Sequence, residues 1–180
     1  MVKLVAILSI LGVTRFIIHS QNLVENGGFD QGLRGWKIKG GNIKLANEIN
    51  GSKKNPILMV ELNKKKQSFY REYEFKEGME FVKITFKVKT SEDFAICEGT
   101  QNFLELEFLN KLTCDEYAYW SPEIKRSMNW VEKSDIFKIN KLYFESESQT
   151  KPQFGIILHA GVGKIYFDDF RVEPASRGPY

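Results

Sequence analysis

The residues of this chain that could do chemistry are aromatic and acidic rather than nucleophilic. Asp115 to Pro122 reads Asp-Glu-Tyr-Ala-Tyr-Trp-Ser-Pro. In an extended strand Tyr117 and Tyr119 project from one face about 6.6 Å apart, close to the scale of a sugar ring, and Trp120 lies beside the turn. Glu107, on the preceding strand candidate, offers a carboxylate for hydroxyl hydrogen bonds. Tyr70 and Tyr73 face opposite ways in an aromatic-rich stretch, so one of them is placed to reach a surface. Aromatic rings take the apolar C–H faces of sugars, and a few polar groups around them orient the hydroxyls. Tyr117, Tyr119, Trp120, Glu107 and Tyr70 are therefore the ligand-binding candidates. The competing arrangement turns Tyr117 and Tyr119 into the core and leaves Trp120 alone exposed.

Catalysis finds little support. No Gly-x-Ser-x-Gly elbow, metal-binding His pair or phosphate loop occurs. His159 is the one histidine beyond His19. On alternation it faces away from Phe154, Ile156 and Leu158, as a surface or ligand-contact residue. Two carboxylates for glycoside hydrolysis can be chosen from any set of 23 acids, so their presence decides nothing. Cys97 and Cys114, with two histidines, do not make a zinc set. They are either two free thiols or one bridge contributing about 3 kcal/mol. The chain is expected not to be an enzyme.

These candidates need a scaffold, and the period-2 alternation supplies it. Glu80 to Lys89 places Val82, Ile84, Phe86 and Val88 on one face and Lys83, Thr85, Lys87 and Lys89 on the other. Phe103 to Leu109 turns Leu104, Leu106 and Phe108 inward and Glu105 and Glu107 outward. The opposed Lys and Glu rows read either as sugar-binding groups or as cross-strand ion pairs. Further strand candidates are 57–62, 68–75, 117–120, 130–139, 141–145, 154–159 and 164–172, separated by Gly- and Asn-rich turns. Nine or ten short strands without helical spacers make a β-sandwich or barrel. With 180 residues, 42% hydrophobic and 27% charged, the chain makes one domain.

Residues 1–20 have the form of a signal peptide: Lys3, then an apolar run from Leu4 to Val13 too short to span a bilayer, with Ser20 at the expected cut. No second stretch approaches membrane length. The mature domain is 21–174, with a tail at 175–180, and the protein is expected to be secreted or extracytoplasmic. The formal charge is +3; without Lys3 and Arg15, 24 basic residues face 23 acidic ones, a net charge of +1. Such a balance offers no electrostatic case for nucleic acid or an anionic membrane.

Two segments resemble a known family. Asn22 to Trp36, with Asn26-Gly27-Gly28-Phe29-Asp30 and Gly32-Leu-Arg-Gly-Trp36, is similar to the opening of carbohydrate-binding modules of families 4, 9 and 22. Gly163 to Val172, with Asp168-Asp169, is similar to their last strand. The stretch Phe75-Lys-Glu-Gly-Met before the Glu80 strand, and Trp130 before another, also fit. The resemblance implies an all-β, galactose-binding-like jelly-roll β-sandwich of two antiparallel sheets. Trp36 and Trp130 match positions expected to be mainly core.

In this pattern glycines serve positive φ in the Asn26-Gly27-Gly28 turn, and Phe29 and Trp36 plug one end of the sandwich. Tyr166, Asp168, Phe170 and Val172 share one face by alternation, which turns Asp168 inward. A buried carboxylate needs a partner or a metal. Modules of this type often hold a structural Ca²⁺ where the first and last strands meet. The resemblance implies Asp168 and Asp30 as its ligands, with Glu25 a further acidic neighbour. The alternative is that Asp168 accepts backbone N–H bonds without metal.

Two functions follow. One is a secreted, non-catalytic carbohydrate-binding protein with an oligo- or polysaccharide ligand. The other is a structural or adhesive β-sandwich that binds another protein and carries no sugar site.

Overall fold

The computed structural model describes residues 22–73, 80–109, 119–138 and 153–175. The leader at 1–20, the Phe75–Met79 motif, Cys114, Tyr117, the strand candidate at 141–145 and most of the tail lie outside the described residues. The strands are β1 (Trp36–Lys39), β2 (Ile43–Asn50), β3 (Lys53–Asn63), β4 (Gln67–Glu72), β5 (Phe81–Thr90), β6 (Ala95–Ile96), β7 (Leu104–Leu109), β8 (Tyr119–Trp120), β9 (Val131–Lys138), β10 (Gln153–Leu158) and β11 (Gly161–Ala175). No helix occurs among the described residues. All pairings are antiparallel. The front sheet runs β1-β4-β10-β7-β8; the back sheet runs β2-β3-β11-β5-β9, with β6 on β11. The expected all-β sandwich of two antiparallel sheets is what forms.

The alternation predicted for β5 and for Leu104–Glu107 of β7 holds; the side chain of Phe108 lies outside those described. Val82, Ile84, Phe86 and Val88 from the back sheet meet Leu104 and Leu106 from the front sheet in one core. Its centre is aromatic. Phe170 contacts Phe29, Trp36, Phe69, Phe86, Phe154 and Phe167 with ring centroids 5.0–6.1 Å apart. Phe29 and Trp36 plug one end as expected, and the Trp36 indole donates to the Asn26 carbonyl at 3.1 Å. Strands β1 and β2 were not expected. Asparagines interrupt the apolar file of β2, a sheet-edge strand with one wet side.

Three expectations need correction. In the Asn26-Gly27-Gly28 turn, positive φ falls on Asn26 (56°) and Phe29 (60°), not on the glycines. Gly27 is required for close approach instead: a Cβ there would sit 2.0 Å from the Phe170 carbonyl oxygen. Second, Asp168 does not share the core face with Phe170 and Val172. Ile165 and Phe167 point inward; then a β-bulge between Asp168 and Arg171, with Asp169 at φ 51°, inserts a residue and resets the phase. A single extra residue exchanges the faces of everything that follows. Third, the Lys row of β5 and the Glu row of β7 do not oppose each other, because the two strands belong to different sheets and their polar faces point to opposite sides of the molecule.

Candidate functional site

The outer face of the front sheet is ordered by strand register. One cross-strand row runs Lys37 (β1), Tyr70 (β4), Gly155 (β10), Glu107 (β7), Tyr119 (β8). Three of the sequence candidates, Tyr70, Glu107 and Tyr119, thus fall on one line across five strands. The next row is Lys39, Ser68, Ile157, Glu105. On the other side Glu72 lies opposite Gln153.

Tyr70 is the floor of this face. Its ring covers Gly155, where a Cβ would lie 2.3 Å from Tyr70 Cδ1. The Lys39 ammonium sits 5.1 Å from the ring centroid, a cation–π distance. The tyrosine is 8% exposed, so it is a covered floor and not an open platform. Tyr73 turns into the core, which fulfils the expectation that the two tyrosines face opposite ways.

The polar groups around that floor differ in how they are satisfied. Lys37 Nζ pairs with Glu72 Oε1 at 2.7 Å, and Gln153 Nε2 donates to the same oxygen at 3.3 Å. His159 Nε2 lies 3.0 Å from Glu105 Oε1. That is ion-pair distance for a protonated imidazole, yet the approach lacks hydrogen-bond geometry and Nε2 is otherwise buried without a partner. Glu107 is half-buried and has no cation within 4.0 Å among the described residues.

Trp120 and Trp130 exchange the roles expected of them. Trp120 is opposite Leu106 in register and packs inward, its ring 5.9 Å from Phe86 and 6.5 Å from Phe137. It therefore does not form the edge of a ligand surface. Trp130 is half-buried outside the core, on the back sheet's outer face, and its indole N–H donates to Glu48 Oε1 and Oε2 at 2.8 and 2.7 Å. The signal for the swap lies in register. Trp120 pairs with an inward-facing residue of β7, and that parity is invisible until the pairing is known.

The back sheet's outer face is crossed at one end by the β2–β3 hairpin. β3 pairs with β11 only over Leu58–Asn63, while its pairing with β2 continues to the hairpin tip. Pro56, without an N–H, marks the departure. The freed tip folds across the face: Glu48 takes the Lys89 ammonium at 2.9 Å as well as Trp130, and Asn55 Nδ2 donates to Asp168 Oδ2 at 2.8 Å. Beside it Lys87 pairs with Asp169 at 2.6 Å and Arg171 with Glu132 at 2.6 Å. Sequence reasoning missed this cluster because Glu48 and Trp130 are 82 residues apart.

Of the metal candidates, Asp168 and Asp30 do approach one point. Carboxylate oxygens of Asp30, Asp169 and Asp168 lie 3.7, 3.8 and 3.9 Å from where a Gly28 Cβ would be. Glu25 stands apart, 87% exposed at its side chain and 3.7 Å from Arg71 Nη2. Asp168 Oδ1 accepts the Asp169 N–H and Oδ2 the Asn55 side-chain N–H, both at 2.8 Å. Burial pushes its carboxyl above the usual value, against the Asn55 and Asp169 hydrogen bonds. Hard oxygen donors around a side-chain-free glycine suit Ca²⁺ in kind. As placed, no three acidic, His or Cys groups among the described residues can share one ion; Asp30, Asp168 and Asp169 would have to close around it.

No family model and no curated protein matches this sequence. Solved structures do. The family 61 module TmCBM61, solved with β-1,4-galactotriose, is 14% identical with a TM-score of 0.56, over 87% of this chain and 100% of that one. Modules of families 22 and 11 match as well. The chain has the carbohydrate-binding-module jelly-roll fold. The fold is also shared with enzymes. A Stig cyclase from Fischerella sp. TAU, in complex with an indole compound, is 14% identical (TM-score 0.56; 86% of this chain, 98% of that one). The enzymatically active domain of tailspike protein 4 of bacteriophage CBA120 is 10% identical (TM-score 0.59; 86% of this chain). This chain spans 21% of the tailspike chain. At these identities the likeness is one of fold.

Proposed function

We propose that this protein is a secreted, non-catalytic carbohydrate-binding protein whose ligand lies on the outer face of the front sheet. The observation that carries the reading is the row Lys37–Tyr70–Gly155–Glu107–Tyr119, which spans five strands and sets a carboxylate beside an aromatic floor. An extended glycan needs a broad surface with spaced hydroxyl acceptors, and a wide sheet supplies one. The back sheet's outer face instead carries three ion pairs, Lys89–Glu48, Lys87–Asp169 and Arg171–Glu132. Several similar structures are binding modules named with glycans, among them β-1,4-galactotriose, a mixed-linked β-1,3-1,4 tetrasaccharide and xylan.

The test is a glycan array on the mature chain, followed by titration of any hit against Glu107→Gln. Removing a charged acceptor should weaken binding by about 1.5–3 kcal/mol with the melting temperature unchanged. A folded protein that binds no glycan, or a Glu107→Gln variant that binds as wild type, rejects this reading.

A further inference from the structure

The charges on the proposed glycan face are segregated. Lys37 is neutralised by Glu72, and Glu105 stands beside His159. Lys39 is different. It is exposed, it has no carboxylate within 4.0 Å among the described residues, and its recorded contact is the Tyr70 ring. At the same end of the face the β3–β4 turn presents Lys64, Lys65 and Lys66, all exposed and likewise without a carboxylate partner among the described residues. The turn is tied in place. The Lys64 N–H donates to the Gly161 carbonyl at 3.0 Å, and the Lys65 N–H to Asn63 Oδ1 at 3.3 Å. A Cβ on Gly40, the residue after Lys39, would touch Gln67, the residue after Lys66. Lys66 also continues the outward file of Ser68 and Tyr70 by alternation. Lys39 and Lys66 thus border one end of the Tyr70 floor, with Lys64 and Lys65 in the same turn. Glu107 stands three strands across and two residues along from Lys39, about 16 Å at the usual strand spacings.

From this layout we propose that the ligand is an acidic polysaccharide, its anionic groups seated against Lys39 and the Lys64–Lys66 turn and its hydroxyls against Glu107; this rests on the glycan-binding reading of the same face. The Lys39 ammonium sits over the Tyr70 ring, 5.1 Å from its centroid. A neutral sugar stacking there must push an ammonium away and gains nothing for it. A sugar bearing a carboxylate or sulfate pairs with that ammonium as it settles, so the covering cation becomes a recognition group. The net charge of the chain, only +3, is consistent with a local device of this kind and not with a general affinity for polyanions.

The experiment compares polygalacturonate and dextran sulfate with neutral galactan and xylan, using wild type, Lys39→Gln and the Lys64/65/66→Gln triple variant, with polyglutamate as a sugar-free polyanion. The lysines are exposed, so all variants should melt as wild type. The expected result is binding of an acidic polymer that weakens roughly tenfold or more between 0.1 M and 1 M salt, as the Debye length shortens from about 10 to about 3 Å. Both variants should lose most of that binding. Whether carboxylate or sulfate is preferred identifies the source of the anion. Binding of neutral polymers with equal or greater affinity, unchanged in the lysine variants, overturns the acidic ligand but leaves glycan binding standing. Equal binding of polyglutamate reduces the effect to bare charge and overturns it too. Binding of none of these polymers by the folded protein overturns the acidic ligand, and the glycan-binding reading falls with it only where the glycan array is blank as well.

Discussion

Tyr70 lies across Gly155, its partner in register on the next strand, so closely that a single methyl group on the glycine would sit 2.3 Å from Tyr70 Cδ1. The glycine exists to let the ring lie flat on the sheet. Gly155→Ala should therefore lift the ring and cost about 1–3 kcal/mol, the usual range for overpacking, and it should weaken glycan binding. Thermal melting and titration check both. A variant that melts and binds like wild type shows that the floor is not built on this contact.

The two tryptophans should respond in different ways. Trp120→Ala empties a space against Phe86 and Phe137 and should cost about 3–5 kcal/mol. Trp130→Phe keeps the ring but removes the N–H that Glu48 accepts, and should cost about 1–3 kcal/mol. Chemical denaturation of both variants measures the difference. A Trp120→Ala protein as stable as wild type places that residue on the surface instead.

Glu48 should link stability to pH. The Lys89 hydrogen bond holds its carboxyl below the usual value of 4.5; burial opposes this, and the Trp130 N–H reinforces it. A lowered folded-state value stabilises the native protein above the unfolded value, and the contribution disappears as pH falls through the folded one. The melting difference between wild type and Glu48→Gln should be full at pH 7 and shrink steadily below about pH 4.5. Asp168 has the opposite sign: its raised value favours folding at low pH, and that advantage is lost as pH rises through the folded value. A difference for Glu48→Gln that stays constant with pH breaks the assigned pairing.

Calcium, where it binds, should act through Asp30, Asp168 and Asp169. A ligand restricted to the folded state adds about 2.7 kcal/mol at a hundredfold excess over its dissociation constant. Asp30→Asn should remove the calcium-dependent rise in melting temperature, and Glu25→Gln should leave it intact. Identical melting in EDTA and in millimolar Ca²⁺ discards the metal and leaves Asp168 held by the Asn55 side chain and the Asp169 N–H.

The chain's own pattern was enough for an all-β sandwich or barrel, and the resemblance of its two end segments selected the two-sheet jelly roll. Strict alternation in β5 and β7 dictates two-faced strands, Gly- and Asn-rich turns cut them to sandwich length, and Phe29 and Trp36 announce the plug. It was enough to place Tyr70 and Tyr73 on opposite faces, since a strand leaves no other choice over three residues. Which strands become neighbours was decided elsewhere. Glu107, Gly155 and Tyr70 meet because β7, β10 and β4 pair in one register, and no local preference encodes a contact between residues so far apart in the chain. The faces of Asp168 and Trp130 also escaped the pattern. One inserted residue at Asp169 inverts the parity of β11, and the β2–β3 tip, free of the sheet beyond Pro56, carries Glu48 to a tryptophan 82 residues away. Parity within a strand is local and readable. Bulges, register and the path of a hairpin are settled by burial across the whole sandwich, and only the tertiary structure holds that information.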